Sequence, residues 1–216
     1  GMYVGRLGDG SHPLDGIYIL LKEVIDNSID EFIMGEGNII EVKRQGDEVT
    51  VRDYGRGIPL GKVVECVSTI NTGGKYSDDV FQFSVGLNGV GTKAVNALSS
   101  EFQVVSYRDG AFVNVFFEKG KLVDKKEGKK SKVRNGTYIR FIPDRSIFKS
   151  YTWNEEYIDW RLWFYVYLNT GLVIDYNGKK YASKTGLKDL LQRELGKEPV
   201  LYDLVQFAEQ KIEFAF

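Results

Sequence analysis

The chain has 216 residues, 43% of them hydrophobic and 27% charged, and a net charge of −1. That length suits one large domain or two small ones and can bury roughly 70% of the unfolded surface, while the ordinary charge content excludes wholesale disorder. One cysteine, Cys66, excludes an internal disulfide and fits a reducing compartment, and one histidine, His12, excludes a His-rich metal site. The longest apolar run, Leu162 to Leu168, is seven residues, far short of the ~20 that span a bilayer. The first ten residues hold four glycines and no apolar stretch of the kind a signal peptide needs. A near-neutral molecule has no overall basic field to steer it toward nucleic acid. The composition therefore describes a soluble, cytoplasmic protein with one core and no membrane partner.

In chain order, residues 13–34 read as a helix, because Ile17, Leu21, Val24, Ile25, Ile29 and Phe32 recur at helical spacing. Pro13 stands near its start, and Gly35 and Gly37 stop it. Strands 39–44 and 48–53 follow around Gly46 and Asp47, then a helix over 59–71. Residues 72–91 are punctuated by Gly73, Gly74, Gly86, Gly89 and Gly91 and read as a long loop, a length that in compact domains usually serves function. A helix over 92–100 leads to strands 102–107, 111–118 and 136–142, the first two joined by Asp109-Gly110. Residues 154–168 form an aromatic helix, 172–176 and 179–182 a hairpin around Asn177-Gly178, and 185–195 a last helix. Grouped helices and antiparallel hairpins without strict βαβ alternation give an α+β sandwich, read as one domain over 1–216.

Three features carry chemistry. On the first helix Asn27 lies about 40° from Glu23 and Asp30 about 20° on its other side, with Glu31 about 80° away, opposite the apolar arc. Such a face is either simply solvated or turned to a ligand; in the second case Asn27 offers a neutral oxygen to Mg²⁺ and Glu23 a base for a nearby water. The second feature is Asp53-Tyr54-Gly55-Arg56-Gly57-Ile58-Pro59, closing an apolar strand. It is a glycine turn, or else a buried carboxylate at a pocket mouth that needs a donor such as the exocyclic amine of a purine. The third is Gly86-Leu87-Asn88-Gly89-Val90-Gly91 ahead of a helix. It fits neither the dinucleotide fingerprint nor a P-loop. It is a flexible linker, or a cradle whose backbone N–H groups meet an anion at a helix start.

Taken together and in order, Glu23 to Glu31, Asp53-x-Gly55-x-Gly57-Ile58-Pro59, Thr72-Gly73-Gly74-Lys75, Gly86 to Gly91 and Gly136-Thr137 resemble the ATP-binding domain of the B subunits of type IIA bacterial topoisomerases, DNA gyrase and topoisomerase IV. These belong to the GHKL superfamily with Hsp90 chaperones, MutL mismatch-repair proteins and histidine kinases. The resemblance runs across nearly the whole chain. It implies a Bergerat-type two-layer sandwich, a mixed, mostly antiparallel sheet with helices on one face, and Mg²⁺-dependent ATP hydrolysis that drives DNA strand passage. The look of the chain favours topoisomerase IV over gyrase. It further implies that Glu23 is the general base, Asn27 holds Mg²⁺, and Asp53 takes the adenine amine with help from Thr137. Gly57 and Ile58 would border the base, Gly73, Gly74 and Lys75 would open a lid, and Gly86, Leu87, Asn88, Gly89, Val90 and Gly91 would hold the phosphates. Arg56, Pro59 and Arg108 would edge the mouth where inhibitors bind, and Val24, Val51 and Ile139 would wall the adenine.

Asn88 stands where these B subunits commonly carry histidine. The implied partners are the A subunit, DNA and, once ATP binds, a second B subunit. An N-terminal arm and a transducer domain would lie outside these residues, so the chain is expected to act as a monomer that binds ATP and turns it over slowly. The alternative implied by the superfamily is a nucleotide-gated interaction module of the chaperone or mismatch-repair kind. Residues 119–134 carry eight Lys/Arg against Asp124 and Glu127; they read as a solvated hairpin tip in preference to a DNA-contacting strip. Trp153, Tyr157, Trp160 and Phe164 follow helical spacing and read as core, as does Cys66, while His12 reads as a surface loop residue.

Overall fold

The alternation of β2 (Glu48–Asp53) decides which side of the sheet is dry: Val49, Val51 and Asp53 are buried and the residues between them are half-exposed. The computed structural model describes residues 4–68, 90–197, 202–209 and 212–216. Register carries the buried side across the sheet. Val51 pairs with Val42 of β1 (Ile39–Gln45) and Ile139 of β6 (Gly136–Pro143), and Ile139 pairs with Val104 of β3 (Ser99–Arg108). Val104 in turn pairs with Val115 of β4 (Ala111–Glu118). One pleat along, Val49, Phe141, Phe102 and Phe117 form a second row. With β5 (Lys121–Lys129), β7 (Val173–Tyr176) and β8 (Lys179–Ala182), the order is β5-β4-β3-β6-β2-β1-β7-β8. Every pairing is antiparallel except β1 with β7. A separate hairpin of β9 (Gln206–Glu209) and β10 (Ile212–Ala215) follows.

The helices other than the last cover the dry side. In chain order the helices are α1 (Gly16–Ile33), α2 (Val63–Ser68), α3 (Gly91–Ala97), α4 (Arg145–Phe148), α5 (Glu155–Leu168) and α6 (Leu187–Leu195). α1 lays Ile17, Leu20, Leu21, Val24, Ile25 and Ile29 onto the sheet. The opposite side carries Arg52, Tyr138, Arg140, Gln103 and Asn114, tied by Arg140 to Glu48 (2.7 Å) and Glu101 (2.8 Å) and by Gln103 to Asn114 (2.9 Å). The expected α+β sandwich, mostly antiparallel with helices on one face, is the one observed. No helix among the described residues is long and apolar enough to cross a membrane.

Several boundaries differ from the sequence reading. α1 starts at Gly16, not residue 13, because the Asp15 carboxylate takes the N–H groups of Gly10 (2.9 Å) and His12 (3.2 Å) and holds Pro13 in a turn before the helix. The helix expected over 92–100 stops at Ala97, since Ser99 is taken by pairing with Pro143. The one expected from 59 opens as a 3₁₀ turn at Leu60–Lys62, and its residues 69–71 lie outside the described residues, as do 72–89 of the expected loop. The supposed tip within 119–134 is instead the nine-residue edge strand β5. Trp153 is buried before α5, which is capped by Asn154 accepting from Glu156 N–H (2.9 Å). The helical face is thereby shifted, and Trp160 is 52% exposed, with its ring tilted against Phe164 rather than in the core. Cys66 is half-buried against the core and His12 is exposed.

If Phe141 anchors the second core row, Phe141→Ala costs about 3–5 kcal/mol, whereas Trp160→Ser stays within about 1 kcal/mol. Urea denaturation of the two variants checks the assignment, and equal losses would contradict it.

Candidate functional site

Between α1 and the sheet, the apolar row Val51–Ile139–Val104 gives way one pleat outward to a polar one: Asp53, Thr137 and Ser106. Asp53 is 6% exposed. Its Oδ1 accepts two backbone N–H groups, Gly55 (3.0 Å) and Thr137 (3.1 Å), while among the described residues Oδ2 has one long contact, from the Ser28 hydroxyl (3.4 Å). One oxygen is therefore saturated and the other is available to a donor entering the layer. Burial pushes the Asp53 carboxyl up to about 6, against the lowering effect of the two N–H groups and Arg52. Val24 stands one helical turn before Ser28 on α1, and Val24, Val51 and Ile139 are all buried in the same core.

The turn after β2 is held from several sides. Gly57 has φ of +77°, and a Cβ there would meet Tyr107 O at 2.5 Å. Ser106 donates to Ile58 O (2.6 Å) and Arg108 to Gly57 O (3.2 Å). Arg56 makes a two-pronged pair with Glu31, Nε to Oε2 at 3.1 Å and Nη2 to Oε1 at 2.9 Å, and its N–H also donates to Oε2 (2.8 Å). Arg56 and Arg108 both line a polar depression of about 450 Å³, with Tyr54 and Arg134. Ile58 and Pro59 are half-buried beside the turn.

The other end of the site is where α1 meets α3. Asn27 donates through Nδ2 to Glu23 O (2.8 Å) and to Thr92 Oγ1 (2.6 Å), so neither bond uses its amide oxygen. Gly91 opens α3 directly against Glu23: any Cβ on it would overlap Glu23 Oε2. Burial raises the Glu23 carboxyl above its ordinary range, opposed by Lys22. Lys22 in turn pairs with the buried Asp26, which accepts from Tyr165 OH (2.7 Å). Among the described residues no cluster of three or more His, Cys, Asp or Glu could hold a metal ion.

The structure thus brings Asp53, Gly57, Ile58 and Thr137 together with Val24, Val51 and Ile139, and sets Glu23 and Asn27 of α1 against the start of α3, where Val90 precedes Gly91 and Thr92. Gly73, Gly74, Lys75, Gly86, Leu87, Asn88 and Gly89 lie outside the described residues. Sequence reasoning gave no separate role to Ser28 or Ser106. A serine inside the apolar stripe of α1 was the available signal for Ser28.

A model described as "Histidine kinase-, DNA gyrase B-, and HSP90-like ATPase" matches residues 13–147, and the chain belongs to that family. Among curated relatives, the B subunit of DNA topoisomerase 4 from Borreliella burgdorferi is 56% identical over 216 residues, covering 100% of this chain and 36% of that protein. The B subunit of DNA gyrase from Mycoplasmoides gallisepticum is 34% identical, covering 98% and 35% respectively. The chain thus spans about a third of the length of these relatives. Among solved structures, the 43K ATPase domain of Thermus thermophilus gyrase B in complex with an aminocoumarin superposes with a TM-score of 0.74 at 28% identity, over 99% of this chain and 58% of that one.

Because Asp53 sits above its ordinary 3.8, it supports folding fully only below that range, and this support is lost as pH rises through about 6. Asp53→Asn keeps an Oδ1 acceptor and removes the buried charge. The variant should gain on the wild type by up to about 3 kcal/mol between pH 4 and pH 8. Denaturation midpoints across that range measure it, and a flat difference would contradict a buried, charged Asp53.

Proposed function

We propose that the chain is the ATP-binding and ATP-hydrolysing domain of a type IIA topoisomerase B subunit, of the topoisomerase IV kind. In the longer protein, ATP turnover would drive passage of one DNA duplex through another, with an A subunit and a second B subunit as partners. The observation that carries the reading is the divided Asp53 carboxylate. Its Oδ2 would accept the adenine exocyclic amine, with Thr137 beside it and Val24, Val51, Ile58 and Ile139 as walls. Guanine presents an acceptor at that position, so lone pairs would oppose each other; a buried polar pairing of this kind rejects the wrong partner by roughly 10⁴. The greater identity to a topoisomerase IV subunit than to the gyrase subunits supports the choice between the two.

At the other end, Glu23 would take a proton from water as its oxygen attacks the γ-phosphorus and the β–γ bridging bond breaks, giving ADP and phosphate. Burial moves its carboxyl upward, in the direction a base working near neutral pH requires. Magnesium fits the donor set: Asn27 offers a hard, neutral amide oxygen, and Mg²⁺ commonly takes one or two protein ligands and fills its shell with water and phosphate oxygens. When bound, it would neutralise charge on the phosphates. Gly91 leaves room for the Glu23 carboxylate at the start of α3. Gly73, Gly74, Lys75 and Gly86 to Gly89 are assigned to the lid and phosphate cradle on the motif alone.

Two substitutions separate the two ends. Glu23→Gln should leave the Kd for a non-hydrolysable ATP analogue within about threefold and lower hydrolysis by about 10²–10⁴. Asp53→Asn should weaken that Kd by about 10–100-fold. Calorimetric titration and a phosphate-release assay read both; normal hydrolysis by Glu23→Gln, or unchanged binding by Asp53→Asn, would remove the corresponding assignment.

A further inference from the structure

β5 is exposed at all nine positions and pairs on one side only, with β4. It carries Lys121, Lys125, Lys126 and Lys129, and the flanking residues add Lys119, Lys130, Lys132 and Arg134. Lys125 pairs with Glu127 (3.3 Å), Lys126 with Asp124 (3.0 Å) and Lys119 with Asp144 (3.6 Å). Among the described residues the other five cations have no carboxylate partner. The basic run does not end with the strand. Lys130 lies over the Tyr107 ring at 5.7 Å and Arg134 over Tyr54 at 4.5 Å, and Arg52 sits between the same two rings at 4.7 and 4.8 Å. A belt with a surplus of positive charge, eight cations against Asp124 and Glu127, therefore runs down the sheet edge and turns onto the helix-free side, in a chain whose net charge is −1.

Lysines on an edge strand guard against strand-to-strand aggregation. That purpose accounts for a few charges, not for a surplus that continues past the strand onto aromatic rings. We propose that β5 and the adjoining 130–134 segment form a strip that binds the phosphate backbone of duplex DNA. The inference deepens the topoisomerase reading and rests on it for the choice of duplex DNA as the anion. The eight steps between the nine residues of β5, at about 3.4 Å each, extend about 27 Å, the rise of about eight base pairs. Contact is to phosphates alone and independent of sequence. The guanidinium of Arg134, held on a ring face, is weakly hydrated and free to meet phosphate.

The test measures fluorescence anisotropy of a labelled 20-base-pair duplex titrated with the 216-residue protein between 50 and 200 mM salt. With four to six phosphates engaged, log K should fall against log salt with a slope of about −4 to −5. The triple variant K121E/K125E/K129E should lose at least tenfold in affinity at 50 mM salt. K43E/K180E/K184E, with the same charge change at the opposite end of the sheet, should lose less than threefold. Nucleotide binding by both variants reports that the fold is intact. Equal losses in the two variants, unchanged binding by the first, no binding of the wild type at 50 mM salt, or preference for phosphatidylserine vesicles over DNA would each overturn the strip. Failure of DNA binding with nucleotide binding retained refutes the strip alone, while loss of nucleotide binding in the wild type refutes the reading of the site.

Discussion

A carboxylate sealed into an apolar layer raises the free energy of a small fold unless its oxygens are met by donors, and among the described residues Asp53 has two N–H donors on one oxygen and only a long hydroxyl contact on the other. The two N–H groups that meet it come from the turn after β2 and from the start of β6, so the group closes the gap between two neighbouring strands while keeping its second oxygen open. The rest of the site follows from this arrangement. Gly57 must take a positive φ to bring the turn back under Tyr107, and Gly136 must lack a side chain, because any Cβ there would overlap Asp53 O. Among the described residues Ser28 alone approaches the second oxygen, from α1 and at a long distance.

α1 serves two purposes with different residues of one helix. Its apolar stripe fixes the helix on the sheet, and Ser28, inside that stripe, meets the carboxylate. Asn27 and Glu23, one step round the helix, meet α3 instead. A rigid helix packed along its length thereby sets the spacing between the Asp53 end of the site and the Glu23–Asn27 end. Placing such groups on regular elements holds them more firmly than placing them on loops.

Much of this could be read in the chain itself. The spacing of Ile17, Leu21, Val24 and Ile29 marked α1, and Asp53 with its glycines marked the turn, because both signals are local. β5 was not legible: its only apolar residues, Leu122 and Val123, are both exposed, so pairing with β4 and not a hydrophobic alternation makes it a strand. Trp160 was misjudged because four aromatics at helical spacing were treated as one face, whereas the cap at Asn154 leaves Trp153 outside the helix. The β9–β10 hairpin escaped notice because neither four-residue strand buries a side. Ser28 and Ser106 acquire meaning only when strands and helix are assembled, since a serine alone signals neither donor nor partner.

The single parallel pairing has a bearing on where this chain could be divided. β1 lies in the first quarter of the sequence, yet its outer edge is covered by β7, through Ile40 beside Ile174 and Val42 beside Tyr176. The stretch matched by the family model ends at residue 147, before β7 begins. A polypeptide cut there would carry every residue assigned above to nucleotide contact and still leave the backbone of β1 bare and adhesive along one side. Covering β1 therefore takes the β7–β8 hairpin, which lies well past the last residue proposed for nucleotide contact.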